Sequence, residues 1–408
     1  MALRNIVALL LSALALAPGA RADVITDWNQ VACDVSAKLG PGAPGHRVMA
    51  VVQVAVFEAV NAIEPRYRPY LEKLPAPAGA SVDAAIAAAN RSVLVALMPS
   101  EKATVESAYQ AALKSLPDGA AKADGIAIGE KAAALVMARA AADGADSPDN
   151  YHWQATPGRY VPTVIPAVPT WPRRKPWMME SPSQFRPGPP PDLASETWAR
   201  DLQEVRQLGG KSSTARTAAQ TEIALFWEET RPLVYHPVLR SVALMPGRSV
   251  AQNARLYAAA TMAMDDALTA VFDAKYAYNF WRPITAIRTE HQAGGAKAEA
   301  DLRWVPLIAT PMHPEYPCAH CVVSGALGAV IQHELGGRPA PRFSSSSPTL
   351  PGKVREWSSA DAFIDEVSLA RIYDGVHYRN STQEGSKLGK TVGSLVQRQF
   401  AAPAGDSR

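Results

Sequence analysis

Three short segments in the C-terminal half of the chain carry basic and imidazole side chains at regular spacings. They span residues 275–283, 313–321 and 371–377. Their side chains that can bind an anion or transfer a proton are Lys275, Arg282, His320, Arg371 and His377. A tetrahedral oxyanion buried away from water needs positive charge and hydrogen-bond donors on several sides. Two imidazoles would let one ring bond to the central atom while the other moves protons.

The pattern of these segments resembles the superfamily shared by vanadium-dependent haloperoxidases and type 2 phosphatidic acid phosphatases. That family carries Lys, six residues, Arg-Pro; then Pro-Ser-Gly-His; then Ser, two residues, Arg, five residues, His. The first segment matches fully, and the third matches as Ser368, Arg371 and His377. Residues 46–63 and 184–191 resemble soluble bacterial haloperoxidase-like proteins, so the resemblance covers nearly the whole mature chain.

The second segment departs from the family pattern. Pro317 and His320 are kept, but Cys318 and Ala319 replace the family's Ser-Gly. The serine hydrogen-bonds the oxyanion, whereas a thiol is a weaker donor and is oxidised by peroxide. Such a cysteine is a liability in a site that handles peroxide, unless it is held in a disulfide.

The three cysteines, Cys33, Cys318 and Cys321, are an odd number for an exported chain. The CxxC spacing of the last two is compatible with a redox pair, with part of a zinc site, or with two small residues at the start of a helix. In an oxidising compartment a disulfide between any two of the three is possible. The sequence leaves these alternatives open.

The resemblance also implies roles for individual residues. It makes His377 the residue bonded to vanadium or phosphorus and His320 the acid–base partner, with Lys275 polarising the substrate. The implied oxyanion-binding residues are Lys275, Arg282, Cys318, Ala319 and Arg371. His313, four residues before Pro317, occupies a position where a histidine implies bromide rather than chloride oxidation. A carboxylate should orient the histidines, and Glu228 or Glu229 is the candidate.

Two chemistries fit the same residues. In the first, vanadate is the cofactor, and hydrogen peroxide oxidises a halide, bromide or iodide rather than chloride. In the second, an exported acid phosphatase hydrolyses phosphomonoesters through a phosphohistidine and needs no cofactor. Basic groups stabilise a trigonal-bipyramidal species in both. The helical N-terminal half favours the haloperoxidase. A non-catalytic oxyanion-binding protein is the third alternative, although binding alone does not require two imidazoles.

The apolar residues recur mostly at helical spacing, and we expect an all-α fold. The resemblance implies a helical bundle of the vanadium chloroperoxidase and acid phosphatase type. Lys275 and Arg282 are seven residues apart, which would put them on one face of one helix. No strand pattern is evident, and Ser344–Ser347 is predicted as a mobile loop. The predicted helices are 46–63, 81–98, 100–115, 120–143, 195–208, 213–228, 250–271, 318–335, 359–373 and 381–400.

Residues 157–191 contain eleven prolines and cannot form a helix or a central strand. Trp171 and Trp177 make this segment too apolar for a solvated linker, so we predict an arm packed on the bundle. The chain after residue 22 is then one domain, residues 23–408. Its parts are an N-terminal helical half of about 46–145, the arm, and an active-site half of about 193–400.

Residues 1–22 have the pattern of a secretory signal peptide. Arg4 precedes an apolar run, Pro18-Gly19 breaks it, and Ala20-Arg21-Ala22 offers a small-residue cleavage site. The mature chain should therefore be periplasmic or secreted. The formal net charge of +3 falls to near +1 without Arg4 and Arg21, which indicates no nucleic-acid partner. No later apolar run predicts a membrane span. Small-molecule substrates are expected, and the oligomeric state stays open.

Cleavage after Ala22 is the first testable prediction. Mass spectrometry of protein recovered from the native host should show an N-terminus at or near Asp23, because a signal peptidase reads the small residues before that bond. Recovery of the intact chain from the cytosol would contradict the signal peptide.

Overall fold

The computed structural model describes residues 24–289, 291–293 and 296–400. Within these ranges the chain forms thirteen α-helices and two antiparallel β-hairpins, so the all-α prediction is confirmed in class. The predicted signal peptide lies outside the described residues. The helices are α1 (Val24–Ser36), α2 (Ala43–Ile63), α3 (Val82–Leu97), α4 (Lys102–Lys114), α5 (Ala120–Ala141), α6 (Glu196–Leu208), α7 (Ala218–Phe226), α8 (Pro232–Ala243), α9 (Val250–Tyr278), α10 (Pro283–Arg288), α11 (Ala319–Leu335), α12 (Ala360–Tyr373) and α13 (Arg379–Gln399).

Three helices, α1, α8 and α10, were not predicted from apolar spacing. Helix α8 begins at Pro232, where the missing N–H costs nothing, but it also contains Pro237 in its interior. Because of these two prolines, the helix was not predicted from the sequence. The surrounding core nevertheless stabilises it, since Val234, Val238 and Leu239 are fully buried.

The strands form two hairpins, β1 (His291–Ala293) with β2 (Ala296–Ala298), and β3 (Phe343–Ser346) with β4 (Val354–Trp357). The prediction of a mobile loop at Ser344–Ser347 is therefore wrong. Ser345 is buried, and its hydroxyl donates to the carbonyl of Val234 at 2.7 Å. A run of serines has no apolar alternation, so its strand could not be read from the sequence.

Helix α9 is the centre of the bundle. Most of its residues are buried, and it packs against α2, α11 and α13. Helix α2 is the one helix among the described residues whose length and composition would allow it to cross a membrane. Its most apolar window is 83% buried inside the protein, against α3, α5 and α9. One continuous apolar core joins these helices, and α9 carries Lys275 near its C-terminal end.

The Pro-rich arm is tied to α9 by buried carboxylates. Asp266 accepts the backbone N–H of Trp177 at 2.6 Å and those of the next two residues. The guanidinium of Arg174 is buried between Asp265 and Asp143. These bonds satisfy backbone groups that a proline-rich segment cannot pair in a helix or sheet, and they explain why the arm packs tightly.

A second, smaller aromatic cluster lies beside the three sequence segments. The Trp198 ring packs on Trp281 with centroids 5.8 Å apart and on Tyr378 at 4.8 Å. Trp281 precedes Arg282 and Tyr378 follows His377. The cluster therefore positions the first and third segments relative to each other.

Helices α11 and α13 approach closely because α13 carries glycines at every fourth position, Gly385, Gly389 and Gly393. A Cβ on each of these would meet backbone atoms of α11 or of its N-cap. This contact matters for the site, since α11 carries His320 and α13 begins just after His377.

We expect Gly389→Ala to lower the free energy of unfolding by about 1–3 kcal/mol, the usual cost of overpacking a core. The added Cβ would overlap the Val322 carbonyl oxygen and lie 2.8 Å from the Ala326 nitrogen, and backbone cannot move aside. Gly188→Ala is the control, because a Cβ there meets nothing within 4 Å. Chemical denaturation measures both, and equal midpoints would contradict the close contact.

Candidate functional site

Lys275 enters the site from the last turn of α9. Its ammonium is fully buried and donates to the carbonyls of Pro314 at 3.0 Å and Glu315 at 2.7 Å. Burial lowers the pKa of Lys275 well below its usual value, and the nearby Arg282 lowers it further. The lysine thus joins the first segment to the second.

The predicted helix face shared by Lys275 and Arg282 is wrong. Helix α9 ends at Tyr278, and Asn279 follows in the left-handed region with φ +52°. Arg282 is the N-cap residue of α10, in an extended conformation. The two cations still meet, because the chain turns back after Asn279 toward the same interior space.

Arg282 connects the second and third segments. Its Nε donates to the His313 carbonyl at 2.9 Å, and one Nη donates to the Val376 carbonyl at 2.8 Å. The same Nη is 3.2 Å from His377 Nε2, and the other is 3.0 Å from His313 Nδ1. Burial lowers the pKa of Arg282 to about 10.

His377 lies in the connection between α12 and α13, after Gly375 at φ +85°. A side chain at 375 would overlap the Gly209 carbonyl, so glycine is required there. His377 Nδ1 lies 2.7 Å from Oε1 of Glu315, which also accepts the Tyr378 N–H at 3.1 Å. Because a guanidinium only donates, Nε2 of His377 is the acceptor facing Arg282, and Nδ1 carries the proton.

The carboxylate that orients His377 is therefore Glu315, and the prediction of Glu228 or Glu229 is wrong. Burial raises the pKa of Glu315 to about 7, although Lys275 and Arg282 act in the opposite direction. Burial also lowers the pKa of His377 well below its usual value, with Arg282 adding to the effect. Both shifts favour the neutral forms of the His377 ring and the Glu315 carboxyl.

His320 is the second residue of α11, and its ring is oriented by a backbone group. It hydrogen-bonds the carbonyl of Glu228, while its Nε2 is buried and has no partner among the described residues. Burial lowers the pKa of His320 well below its usual value, and Arg371 lowers it further. The unpaired nitrogen is directed away from the Glu228 carbonyl.

Arg371 lies in the last turn of α12 and is fully buried. One Nη donates to the Trp227 carbonyl at 2.6 Å and pairs with Asp374 at 2.7 Å. Its Nε and other Nη have no partner among the residues that the structure describes. Buried guanidinium groups are normally satisfied, so these two donors and His320 Nε2 indicate that a further group belongs here.

Cys318 does not supply the side-chain donor that was predicted for it. Its sulfur forms a disulfide with Cys321, so it has no S–H, and its backbone N–H donates to the Ser381 carbonyl at 3.1 Å. Cys33 is the free, buried cysteine. The first helical N–H groups of α11, those of Ala319 and His320, cannot be paired within the helix and keep the anion-binding character expected there.

His313 lies at the edge of the site, half-buried against the Phe272 ring, with centroids 5.2 Å apart. Burial lowers the pKa of His313 well below its usual value, and Lys275 lowers it further. Ser368, in contrast, is outside the site, because its hydroxyl contacts Ser386 at 2.9 Å between α12 and α13. The described residues contain no cluster of three or more His, Cys, Asp or Glu that could hold a metal ion.

Sequence reasoning missed Glu315, Asp374 and the carbonyls of the α7–α8 connection. A signal existed for the two acids, because Glu315 lies inside the second segment and Asp374 inside the third. Burial raises the pKa of Asp374 to about 6, while Arg371 lowers it. No side-chain pattern could reveal the Trp227 and Glu228 carbonyls.

Known proteins resemble the part of the chain that carries these three segments. Residues 255–405 match the family described as the VCPO second helical-bundle domain, a region that contains all three segments. A vanadium chloroperoxidase of Curvularia inaequalis is 24% identical over 229 residues, which are 41% of this chain and 37% of that protein. The match therefore spans well under two thirds of that relative.

Solved structures extend the likeness to nearly the whole chain. A bacterial vanadium-dependent iodoperoxidase superposes with a TM-score of 0.80 at 23% identity, covering 94% of this chain and 98% of the other. An apo-type bacterial vanadium-dependent chloroperoxidase gives a TM-score of 0.70 at 16% identity, covering 86% and 93%. Residues 255–405 thus match a second helical-bundle domain of the vanadium chloroperoxidase type, and the part of the chain that the structure describes has the fold of the bacterial vanadium-dependent haloperoxidases.

Proposed function

We propose that this protein is an exported vanadate-dependent haloperoxidase that oxidises bromide or iodide with hydrogen peroxide. One observation carries the proposal. Lys275, Arg282 and Arg371 are buried near one another, and Arg371 Nε, one Arg371 Nη and the Nε2 lone pair of His320 have no partners among the described residues. A buried oxyanion is the group that such donors and charges fit.

Vanadate fits this set of residues in charge and in donor chemistry. Lys275, Arg282 and Arg371 would hold its oxygens together with the first N–H groups of α11, and His377 Nε2 would bond to its central atom. Bound vanadate activates hydrogen peroxide as a Lewis acid so that a halide can be oxidised. The likeness to an iodoperoxidase and two chloroperoxidases in fold supports this cofactor.

The protein's own contribution at His377 is to hold one tautomer. Glu315 accepts a hydrogen bond from Nδ1–H at 2.7 Å, which puts the lone pair on Nε2, the atom that faces Arg282 and that would bond to the ligand. The same carboxylate oxygen accepts the Tyr378 N–H, so the ring and the backbone after it are fixed together. Glu315 is thus a positioning residue for the bond that His377 makes.

His320 is placed to take up and return a proton. Its other ring nitrogen is held by the Glu228 carbonyl, and Arg371 lies close enough to lower the pKa of the ring. A neutral imidazole can accept a proton from a peroxide or water oxygen, and the developing cation is unstable enough beside Arg371 to release it again.

The proposed halide preference rests on two features, His313 at the edge of the site and Cys318 at the start of α11. His313 supplies a polar ring that contacts Arg282, and the disulfide removes the Cys318 side-chain donor. Both make the bound cofactor a weaker oxidant than an apolar rim and a hydroxyl donor would. Chloride is the hardest of the three halides to oxidise, so bromide and iodide are the expected substrates.

A phosphatase is the second candidate, because the same cations and His377 suit phosphoryl transfer. His377 would attack the phosphorus, and His320 would protonate the leaving alcohol. The disulfide is one argument for the haloperoxidase over the phosphatase. It removes a thiol that peroxide would oxidise, so it favours a site exposed to peroxide.

The assay that tests the function compares purified protein with and without orthovanadate. With peroxide and a halogen-trapping dye, we expect turnover of iodide and bromide only after vanadate loading, and chloride turnover at least ~100-fold lower, a difference of about 2.7 kcal/mol in the barrier. Hydrolysis of a generic phosphomonoester is measured beside it. Efficient chloride oxidation would contradict the halide preference, and hydrolysis without any halide turnover would make the phosphatase correct.

His377→Ala should abolish both vanadate retention and turnover, because no other described side chain is placed to make the bond to the central atom. Retention is measured by equilibrium dialysis with elemental analysis. His333→Ala is the control, since His333 is exposed on α11 and lies away from the site. Activity of the His377 variant within tenfold of the parent would contradict the assignment of His377 as the residue that bonds to the central atom.

Glu315→Gln should change how stability depends on pH. The pKa of Glu315 is about 7 in the folded protein and 4.5 without the fold, so the folded state binds its proton more tightly. That stabilisation is complete below pH 4.5 and is lost as pH rises to about 7.

Relative to the variant, the parent should therefore lose about 3 kcal/mol across this window in anion-free buffer. Urea unfolding at closely spaced pH values measures the difference. A parent-minus-variant curve that is flat between pH 4.5 and 7 would show that Glu315 is not protonated in this window.

A further inference from the structure

We propose that Cys318 and Cys321 are a dithiol–disulfide redox site, in which the reduced pair converts one molecule of hydrogen peroxide to water and returns to the disulfide. This activity needs neither vanadate nor a halide. It rests on the proposed function only in taking hydrogen peroxide as the oxidant that enters the site.

The two cysteines have the geometry of an attacking and a resolving thiol. Cys318 is the N-cap residue of α11, Cys321 lies in its first turn, and their Cα atoms are 5.3 Å apart. The backbone N–H of Cys321 points at the Cys318 sulfur at 3.2 Å. In the reduced pair this N–H and the helix N-terminus would stabilise a thiolate on Cys318. Cys321 has no such donor and is the resolving thiol.

The pair lies beside the candidate site. His320, whose Nε2 has no partner among the described residues, stands between the two cysteines in the chain. The Cys318 N–H donates to the Ser381 carbonyl, and the Ser381 hydroxyl is 3.4 Å from His377 Nδ1. Both cysteines are completely buried, with α13 covering them at Gly385. A small molecule that enters the site, and not another protein, is therefore the reactant that suits them.

Once a two-electron reductant, such as a dithiol or a phosphine, has cleaved the disulfide, the reaction of the dithiol balances with hydrogen peroxide alone. The Cys318 thiolate attacks one oxygen of hydrogen peroxide, the O–O bond breaks, and the departing hydroxide takes a proton to become water. Cys318 is then a sulfenic acid. The Cys321 sulfur attacks the Cys318 sulfur, the S–O bond breaks, and a second water leaves. Two thiols are oxidised to one disulfide as one peroxide is reduced to two waters.

The third cysteine supplies an internal comparison. Cys33 is fully buried in α1, and burial raises its pKa to about 12. It has no cysteine partner and keeps its thiol in a chain whose other two cysteines are joined. Cys33 lies within α1 and not at a helix N-terminus, so it is a buried reference thiol against which the reactivity of the pair is compared.

The experiment uses the whole mature protein without vanadate or halide. It is reduced with a small phosphine under native conditions, freed of reductant, and given one equivalent of hydrogen peroxide. Alkylation and mass spectrometry then count the thiols. We expect both Cys318 and Cys321 to be lost together, one pair per peroxide, at least ~10-fold faster than Cys33.

Two variants distinguish the roles. Cys321→Ser should accumulate a sulfenic acid at Cys318 that a 1,3-dione traps, whereas Cys318→Ser should leave Cys321 largely unmodified. Circular dichroism checks that both are folded. Equal trapping at the two positions, oxidation no faster than that of Cys33, or a disulfide that resists reduction in the folded protein would overturn the proposal. Because no halide is present, none of these outcomes bears on the haloperoxidase assay.

Discussion

The candidate site contains buried positive charge that the nearby carboxylates do not fully neutralise. Lys275, Arg282 and Arg371 are buried together, and the carboxylates available to them are Glu315 and Asp374. Burial lowers the pKa of Lys275 and of Arg282, and neighbouring cations lower both further. Such an arrangement is costly in the folded state, and a bound anion is the natural compensation.

Backbone carbonyls provide most of the hydrogen bonds that stabilise these buried cations. The carbonyls of Trp227 and Glu228, consecutive in the α7–α8 connection, hold Arg371 and His320 respectively. Those of Pro314 and Glu315 hold Lys275. Carbonyl dipoles stabilise cations without neutralising them, so these contacts add no counter-charge to the site. The glycine contacts between α11 and α13 keep these groups from moving apart.

One sequence difference at the start of α11 has two consequences. Where the related family has Ser-Gly, this chain has Cys318-Ala319, and the disulfide to Cys321 removes the side-chain donor. An anion bound at this helix N-terminus would then be held by backbone N–H groups alone. The proposed preference for easily oxidised halides and the proposed dithiol chemistry both follow from this replacement.

By itself the sequence determined the helical class, the three segments that meet in the site, and the helix end at Gly375. Spacing and turn chemistry are local, and they decide which residues share an element and where it stops. Several assignments needed the tertiary structure. Arg282 does not lie in the helix that carries Lys275, because Asn279 adopts a left-handed conformation. Cys318 forms a disulfide with Cys321. Glu315, not Glu228 or Glu229, accepts the hydrogen bond from His377 Nδ1–H, and the backbone carbonyl of the same residue binds Lys275. Partners in a buried site are chosen by how distant elements pack, and no spacing along the chain encodes that choice.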